Sequence, residues 1–123
     1  MKHLLFIPVY NCEKQIIRVI NKIIKSSVIN RFEEIIIIDN NSTDNTVDAI
    51  NNSISQNKLI KFKFFQNKNN YNLGGTHKTG FNYAIKNNFD YVTILHGDDQ
   101  GDINNLENVF LNDKYKDYDC CLG

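Results

Sequence analysis

Continuous apolar runs alternate along this chain with stretches in which apolar residues recur every three or four positions. The run at residues 4–9 predicts a buried strand. The run at residues 33–39 is apolar on both faces, which is typical of a strand in a parallel sheet. Residues 13–26 lie between these runs and predict a helix. One face of that helix carries Ile16, Ile17, Ile20, Ile23 and Ile24.

Three further segments predict strands. Residues 59–65 alternate between apolar and polar positions, with Lys61 and Lys63 on the outer face, which favours a place near a sheet edge. The short apolar run at residues 91–95 predicts a fourth strand, and residues 118–123 predict the beginning of a fifth.

Helical periodicity returns in each interval between these later strands. The polar stretch "NNSTDNT" supplies capping residues for the first of the three helices, and residues 76–87 form the second. The apolar faces of the three helices comprise Val47, Ile50 and Ile54, then Phe81, Ala84 and Ile85, and finally Ile103, Leu106, Val109 and Phe110.

Strands that alternate with crossovers of helical length predict an α/β protein, a three-layer αβα arrangement around a mostly parallel sheet. The first three units are expected to lie as in a Rossmann-like nucleotide-binding half, with the strand order 3-2-1-4. The 123 residues suffice for one hydrophobic core and one domain.

Composition and charge argue against several classes of partner and location. Lys+Arg and Asp+Glu both number 14, and this zero net charge gives no electrostatic reason to expect nucleic acid or an anionic membrane as a partner. No apolar run approaches the roughly 20 residues that span a bilayer, and a secretory signal is not expected. The three cysteines fit no metal or disulfide spacing, which indicates buried small side chains and a reducing cytoplasm.

Three polar clusters follow three of the predicted strands: "PVYNCE", "DNNSTD" and "HGDDQGD". Ligands of an open parallel sheet bind outside the carboxyl ends of its strands, where these clusters are expected to meet. A single acidic cluster is more often a solvated turn. The convergence of three clusters predicts a binding site.

Each cluster offers a specific chemistry. The carboxylate of Asp39 can accept hydrogen bonds from a base N–H or a ribose hydroxyl, or it can cap the following helix. Asp98 suits a hard divalent cation, because Mg²⁺ takes one or two carboxylates together with substrate phosphates. Lys78 follows a Gly pair in the first turn of a predicted helix, where a cation favours a nearby anion such as a diphosphate or points into water.

The chain resembles the amino-terminal part of the family 2 glycosyltransferases of the GT-A fold, the group that includes dolichyl-phosphate mannose synthase and polyprenyl-phosphate sugar transferases. The similar segments are "IPVYNCE", "IIIIDNNSTDNT", "NYNLGGTHKTGFNYAI", "VTILHGDDQGD" and "YDCCLG", which occur in family order over essentially the whole chain. The resemblance implies transfer of a hexose from a UDP- or GDP-linked sugar to a polyprenyl phosphate or a glycan hydroxyl. This activity would serve cell-envelope polysaccharide or glycolipid synthesis.

The resemblance also implies roles for individual residues. The nucleotide sugar would be bound by Pro8, Tyr10, Asn11, Glu13, Asp39, Asn41, Lys78, Gly97, Asp98 and Gln100. Asp98 would hold Mg²⁺ or Mn²⁺ as the second residue of the family's D-x-D motif.

Two departures from the family pattern affect this expectation. His96 replaces the leading acid of D-x-D, so it is either a second metal ligand, better suited to Mn²⁺, or a hydrogen-bonding partner of a sugar hydroxyl. Asn40 replaces the second Asp of the usual D-D pair. Asp99 is a reserve ligand, and Asp102 is expected to cap a loop.

The resemblance extends to the donor half of the family alone. The acceptor half and the general base are expected beyond residue 123, so the 123-residue chain is expected to bind nucleotide weakly and to transfer little. The full-length protein would be cytoplasmic or peripheral at the inner face of a membrane.

Two other function classes compete with the transferase. A non-catalytic nucleotide-sugar-binding module would keep the pocket without the chemistry. A phosphoacceptor receiver domain would use Asp39, but the first polar cluster lacks the acidic pair that such a domain needs.

Overall fold

The computed structural model describes all 123 residues. Four parallel strands form one sheet in the order β3-β2-β1-β4. The strands are β1 (His3–Val9), β2 (Glu34–Asp39), β3 (Phe62–Gln66) and β4 (Tyr91–Ile94). The helices are α1 (Gln15–Lys25), α2 (Thr46–Ser55), α3 (Asn72–Lys86) and α4 (Leu106–Leu111), with 3₁₀ turns at Ile29–Arg31, Ile103–Asn105 and Lys114–Asp117. The predicted parallel sheet and strand order are confirmed.

Each face of the sheet has its own core, because successive strand residues point to opposite sides. The larger core lies between the sheet and α1, α2 and α4, and it includes Leu5, Ile7, Ile35 and Ile37. The smaller core lies under α3 and comprises Leu4, Phe6, Ile36, Ile38 and Ala84. The structure is therefore the predicted three-layer αβα arrangement.

The amphipathic faces of α1 and α4 agree closely with the apolar pattern. In α1, Ile16, Ile20 and Ile23 are buried, whereas Ile17 is exposed and Val19 takes its place. The α4 region buries Ile103 and Phe110, as predicted. The edge position of β3 is also confirmed, and its Lys63 forms an ion pair with Glu34 and stays exposed.

Helix α3 differs from its prediction in where it begins and in which of its residues are buried. It begins at Asn72, four residues before the expected start, so the Gly pair lies inside the helix and no glycine has a positive φ. The residues that face the sheet are small, namely Thr76, Gly80 and Ala84. They let the helix approach closely, so Phe81 and Ile85, which were expected to pack, remain exposed.

The predicted fifth strand is wrong. The segment after the last 3₁₀ turn forms no ladder with β4, and its last two apolar positions, Cys121 and Leu122, are exposed. The apolar run is short and no helix covers it, so it buries too little surface to offset the entropy of ordering.

No helix in the structure combines the length and apolar character that crossing a membrane requires.

The first strand places His3 in an aromatic cluster at the amino-terminal edge of the sheet. Its ring packs against Phe32 and Phe110, and its Nε2 atom lies 2.8 Å from Thr93 Oγ1. Burial lowers the pKa of His3 from 6.5 to about 4. The imidazole is therefore neutral in the folded chain at pH 7.

We predict that this histidine makes the chain sensitive to mild acid. The folded-state pKa lies below the unfolded value, so the contribution is fully present above pH 6.5 and is lost as the pH falls toward 4. The loss between pH 7 and pH 5 is about 2 kcal/mol. Urea unfolding of wild type and His3→Phe at both pH values measures it. An equal loss in both proteins would assign the effect to other groups.

Candidate functional site

A cavity of about 340 Å³ opens at the carboxyl ends of β1, β2 and β4, against the first turns of α3. It is lined by Pro8, Val9, Tyr10, Cys12, Asn40, Asn70, Asn72, Leu73, Thr76, His96 and Asp98. The three polar clusters therefore meet at one place, as the strand pattern predicted. Of the predicted site residues, Pro8, Tyr10, His96 and Asp98 line the cavity directly.

Two other predicted residues, Asn11 and Glu13, hold loops together and do not line the cavity. The backbone N–H of Asn11 donates to Ser42 Oγ at 2.9 Å, and its side-chain Oδ1 accepts from Thr43 N at 2.8 Å. Glu13 Oε2 accepts from Asn45 N at 3.3 Å. These bonds join the loop after β1 to the loop after β2, which fixes two walls of the site relative to each other.

Asp39 lies beneath the cavity wall and is completely buried, with 0% exposure. Its carboxylate accepts the backbone N–H of Ser42 at 2.9 Å and the Ser42 hydroxyl. It does not cap α2, whose first N–H, that of Thr46, is bonded by Asp44. The residue that faces the cavity from the end of β2 is its neighbour Asn40.

Asn40 is the centre of an amide network that forms this wall, and it is only 6% exposed. Its Oδ1 atom accepts from Tyr71 N at 2.9 Å and from Asn67 Nδ2 at 3.1 Å, and its Nδ2 donates to Asn70 Oδ1 at 2.9 Å. Asn70 Oδ1 also accepts the backbone N–H of Asn72. Because backbone N–H groups can only donate, they fix which atom of each amide is the oxygen.

We predict that Asn40→Asp lowers the free energy of unfolding by about 1–2 kcal/mol. A carboxylate has no N–H to donate, so its oxygen would lie against the oxygen of Asn70. Urea unfolding measures the loss. Asn41→Asp is the matched control, since it makes the same charge change at the next residue, whose side chain forms no hydrogen bond. Equal stability of the two variants would contradict the network.

The carboxylate of Asp98 is weakly held by the protein. Its Oδ1 accepts one long hydrogen bond, from Gln100 N at 3.2 Å, and no group donates to Oδ2. Asp98 is the only carboxylate among the cavity-lining residues, and no Lys or Arg lines the cavity. A diphosphate beside Asp98 would meet like charge, so a divalent cation bridging the two fits this donor set.

No group of three or more His, Cys, Asp and Glu side chains is arranged to hold a metal ion. Asp98 and His96 would therefore have to share a cation with ligand oxygens, as Mg²⁺ and Mn²⁺ sites with substrate phosphates do. Asp99, the reserve ligand, is bound by Arg18 and Lys22 of α1. Asp102 caps the 3₁₀ turn at Ile103–Asn105 by accepting from Asn104 N, as expected.

The remaining predicted residues lie around the cavity without lining it. Gly97 is buried behind Asp98, Gln100 is exposed beside it, and Asn41 has a left-handed φ of 63°. Lys78 lies in the second turn of α3, because that helix begins earlier than predicted, and it is exposed. The predicted first-turn position of Lys78 is therefore wrong.

The thiol of Cys12 lines the cavity, and its pKa is raised above the ordinary value. Burial raises this pKa most, and the negative charges of Asp98, Asp44 and Asp39 raise it further. Asp98 comes from the loop after β4, and the other two come from β2 and its loop. Of these three carboxylates, only that of Asp98 lines the cavity.

Sequence reasoning missed several residues that line the cavity from α3 and from the loop before it, among them Asn70, Leu73 and Thr76. His77 packs its ring against Phe6 and lies 5.5 Å from the ring of His96, and its Nε2 atom is buried without a partner. Burial, and then the neighbouring His96, lower the pKa of His77. Asn70 Oδ1 accepts the backbone N–H of Asn72, the first residue of α3, so this asparagine is the sequence signal that could have indicated the earlier helix start.

Comparison with known proteins identifies the family to which this chain belongs. The profile of glycosyl transferase family 2 matches residues 5–123. The uncharacterized glycosyltransferase MG060 of Mycoplasma genitalium is 34% identical over 80% of this chain and 33% of its own length. Glycosyltransferase GlyG of Streptococcus pneumoniae is 26% identical over 95% of this chain and 36% of its own length. The chain therefore spans about a third of the length of these curated relatives.

Solved structures show the same fold. S. aureus TarS in complex with UDP-GlcNAc has a TM-score of 0.73 and 22% identity over 94% of this chain and 32% of that chain. The mannosyltransferase PcManGT from Pyrobaculum calidifontis, in complex with GDP-Man and Mn²⁺, has a TM-score of 0.70 and 17% identity over 79% and 27%. These likenesses establish the GT-A fold, and the profile match establishes the lineage: this chain belongs to glycosyl transferase family 2.

Proposed function

We propose that this chain is the donor-binding part of a metal-dependent glycosyltransferase that uses a UDP- or GDP-linked sugar. The observation that carries the proposal is the cavity, in which Tyr10, Asn40 and Asp98 reach one space from three different loops. Its single carboxylate faces a volume of about 340 Å³, which suits a nucleotide that brings its own phosphate oxygens to a cation. The relatives whose solved structures hold UDP-GlcNAc, or GDP-Man with Mn²⁺, support this choice of donor.

In this proposal, different residues of the chain would bind the metal, contact the nucleotide and shape the loops. Asp98 would hold Mg²⁺ or Mn²⁺, with His96 as a second ligand or as a partner of the sugar, and the metal would offset negative charge on the diphosphate. Pro8 and Tyr10 would contact the base or ribose. Asp39 would reach the nucleotide only if Ser42 released its carboxylate, so its part in our proposal is to shape the loop.

The acceptor side of the proposal rests on the resemblance described above. We place a hexose, and an acceptor such as a polyprenyl phosphate or a glycan hydroxyl, in the reaction of a longer cytoplasmic protein that serves the cell envelope. Residues 1–123 would form the nucleotide-sugar-binding part of its GT-A domain, and the chain's span of about a third of its curated relatives supports this division.

A non-catalytic binding module is the second candidate. The observation that favours it is that the cavity contains no carboxylate besides Asp98 that could act as a general base. A radiolabelled donor incubated with the full-length protein distinguishes the two, because a transferase would release or transfer the sugar, whereas a binding module would bind the donor without turnover.

Thermal-shift measurements with UDP-GlcNAc and GDP-Man, each with and without Mn²⁺, test the donor site. We expect a higher Tm with one of these ligands in the presence of Mn²⁺ and a much smaller shift without it. A shift of the same size with and without Mn²⁺ would contradict the metal dependence. If neither ligand changed the Tm, the proposed donor site would be contradicted.

A further inference from the structure

The carboxylate of Asp99 joins the loop after β4 to α1. Its Oδ2 atom lies 2.9 Å from Arg18 Nε, and its Oδ1 atom lies 2.8 Å from Lys22 Nζ. Arg18 and Lys22 are four residues apart on α1, so they lie one above the other on the same face of the helix. Each oxygen of Asp99 therefore has its own cationic partner on a helix that packs into the larger core.

The neighbour on the other side of Asp98 is also fixed. The backbone N–H of Gly97 donates to Pro8 O at 3.0 Å, and a Cβ atom at Gly97 would lie 2.9 Å from the side chain of Val9. Gly97 is therefore pressed against β1. Asp99 has a left-handed backbone, with φ of 65°, which Asp tolerates better than most residues.

Asp98 lies between these two fixed residues, and its own side chain makes few contacts with the protein. Its only hydrogen bond is the 3.2 Å contact from Gln100 N. The direction of its carboxylate therefore depends on the backbone on either side. That backbone is held sterically at Gly97 and ionically at Asp99.

We propose that Asp99 is a positioning residue, whose ion pairs with Arg18 and Lys22 hold the loop so that the Asp98 carboxylate faces the cavity. The inference rests on the proposed function, because it assigns Asp99 a part in metal-dependent donor binding. It excludes Asp99 from the metal itself, since both carboxylate oxygens are committed to α1.

A purely structural role makes a different prediction. The side chains of Arg18 and Lys22 are 56% and 44% exposed, and ion pairs of such groups contribute little to folding stability. A positioning role therefore appears in the metal-dependent affinity, whereas a structural role appears in Tm or not at all.

The test is calorimetric titration of UDP and of GDP into the 123-residue chain, with and without Mn²⁺. Asn has nearly the same shape as Asp and also tolerates a left-handed φ, so Asp99→Asn removes the charge and keeps the backbone. We expect Asp99→Asn to weaken Mn²⁺-dependent nucleotide binding about tenfold and to leave metal-free binding unchanged.

Asp113 supplies the matched control. It too has a positive φ, of 50°, and pairs with a lysine, Lys116, at 3.2 Å, but it lies after α4 and does not line the cavity. Asp113→Asn is expected to bind like wild type. The double variant Arg18→Met/Lys22→Met should show the same loss as Asp99→Asn, and adding Asp99→Asn to it should cost no more, because the three groups act as a unit.

The possible outcomes separate the two proposals. If wild type binds UDP or GDP with Mn²⁺ and Asp99→Asn binds equally well, the positioning role is overturned while the donor site stands. A loss of equal size with and without Mn²⁺ also overturns it. If wild type binds neither nucleotide, both proposals are overturned.

Discussion

Gly80→Ala is expected to lower the free energy of unfolding by about 3 kcal/mol, which corresponds to a fall in Tm of roughly 10 °C. A Cβ atom at this position would lie 2.4 Å from Cε1 and 2.6 Å from Cδ1 of Phe6. Phe6 is fully buried in the core beneath α3, so its ring has nowhere to move. The helix would have to move away from the sheet.

That displacement also reaches the candidate site. Thr76 lies one turn before Gly80 and lines the cavity, and His77 rests on the same Phe6 ring. We therefore expect Gly80→Ala to weaken nucleotide binding together with stability. Both losses have one cause, the distance between α3 and β1.

Gly74→Ala in the same helix is the matched control. A Cβ atom there meets nothing within 4 Å, and the residue has no positive φ. Alanine at such a helical position is stabilising by about 0.5–1 kcal/mol. Denaturant unfolding should therefore give opposite signs for the two Gly→Ala changes, and a Gly80→Ala protein as stable as wild type would contradict the close packing of α3.

Asp98→Asn is expected to weaken Mn²⁺-dependent nucleotide binding about a hundredfold. The substitution keeps the size of the side chain and removes the only carboxylate of the cavity, so a cation beside the diphosphate loses its anionic ligand from the protein. Binding without metal should stay equal or improve slightly, because the negative charge that repels the phosphates is also gone. Calorimetric titration of UDP and GDP measures both.

Asp102→Asn separates this effect from a general loss of negative charge. Asp102 lies four residues further along the same loop, does not line the cavity, and caps the 3₁₀ turn at Ile103–Asn105. Asn is an equally good cap, so stability and binding should both match wild type. If Asp98→Asn also behaved like wild type, the metal role of Asp98 would be wrong.

The strands and their order could be predicted from sequence because apolar runs report burial directly. The run of four isoleucines in β2 is buried on both faces, which only a strand inside a sheet achieves. Helix α3 could not be predicted as well. It contacts the sheet through Thr76, Gly80 and Ala84, so its buried face carries a weak apolar signal, while its exposed face carries Phe81 and Ile85.

The candidate site, too, could be predicted from sequence only in part. That three loops meet at one edge follows from parallel topology alone. Which side chain at the end of β2 faces the cavity depends on parity along the strand: Asp39 shares a face with Ile37, and Asn40 shares one with Ile38. Asn40 faces the cavity because the cavity lies on the α3 side of the sheet, and the sequence alone does not show which side that is.

In our proposal, the loops after β1, β2 and β4 form one pocket for an activated sugar donor. Paramagnetic broadening of amide NMR signals by Mn²⁺, recorded with UDP or GDP bound, measures which residues surround the metal. We expect the amides of Tyr10, Asn40 and Asp98 to broaden together, and Asp98→Asn to abolish the effect. Broadening confined to the loop after β4, or spread over surface carboxylates such as Asp113, would contradict a shared pocket.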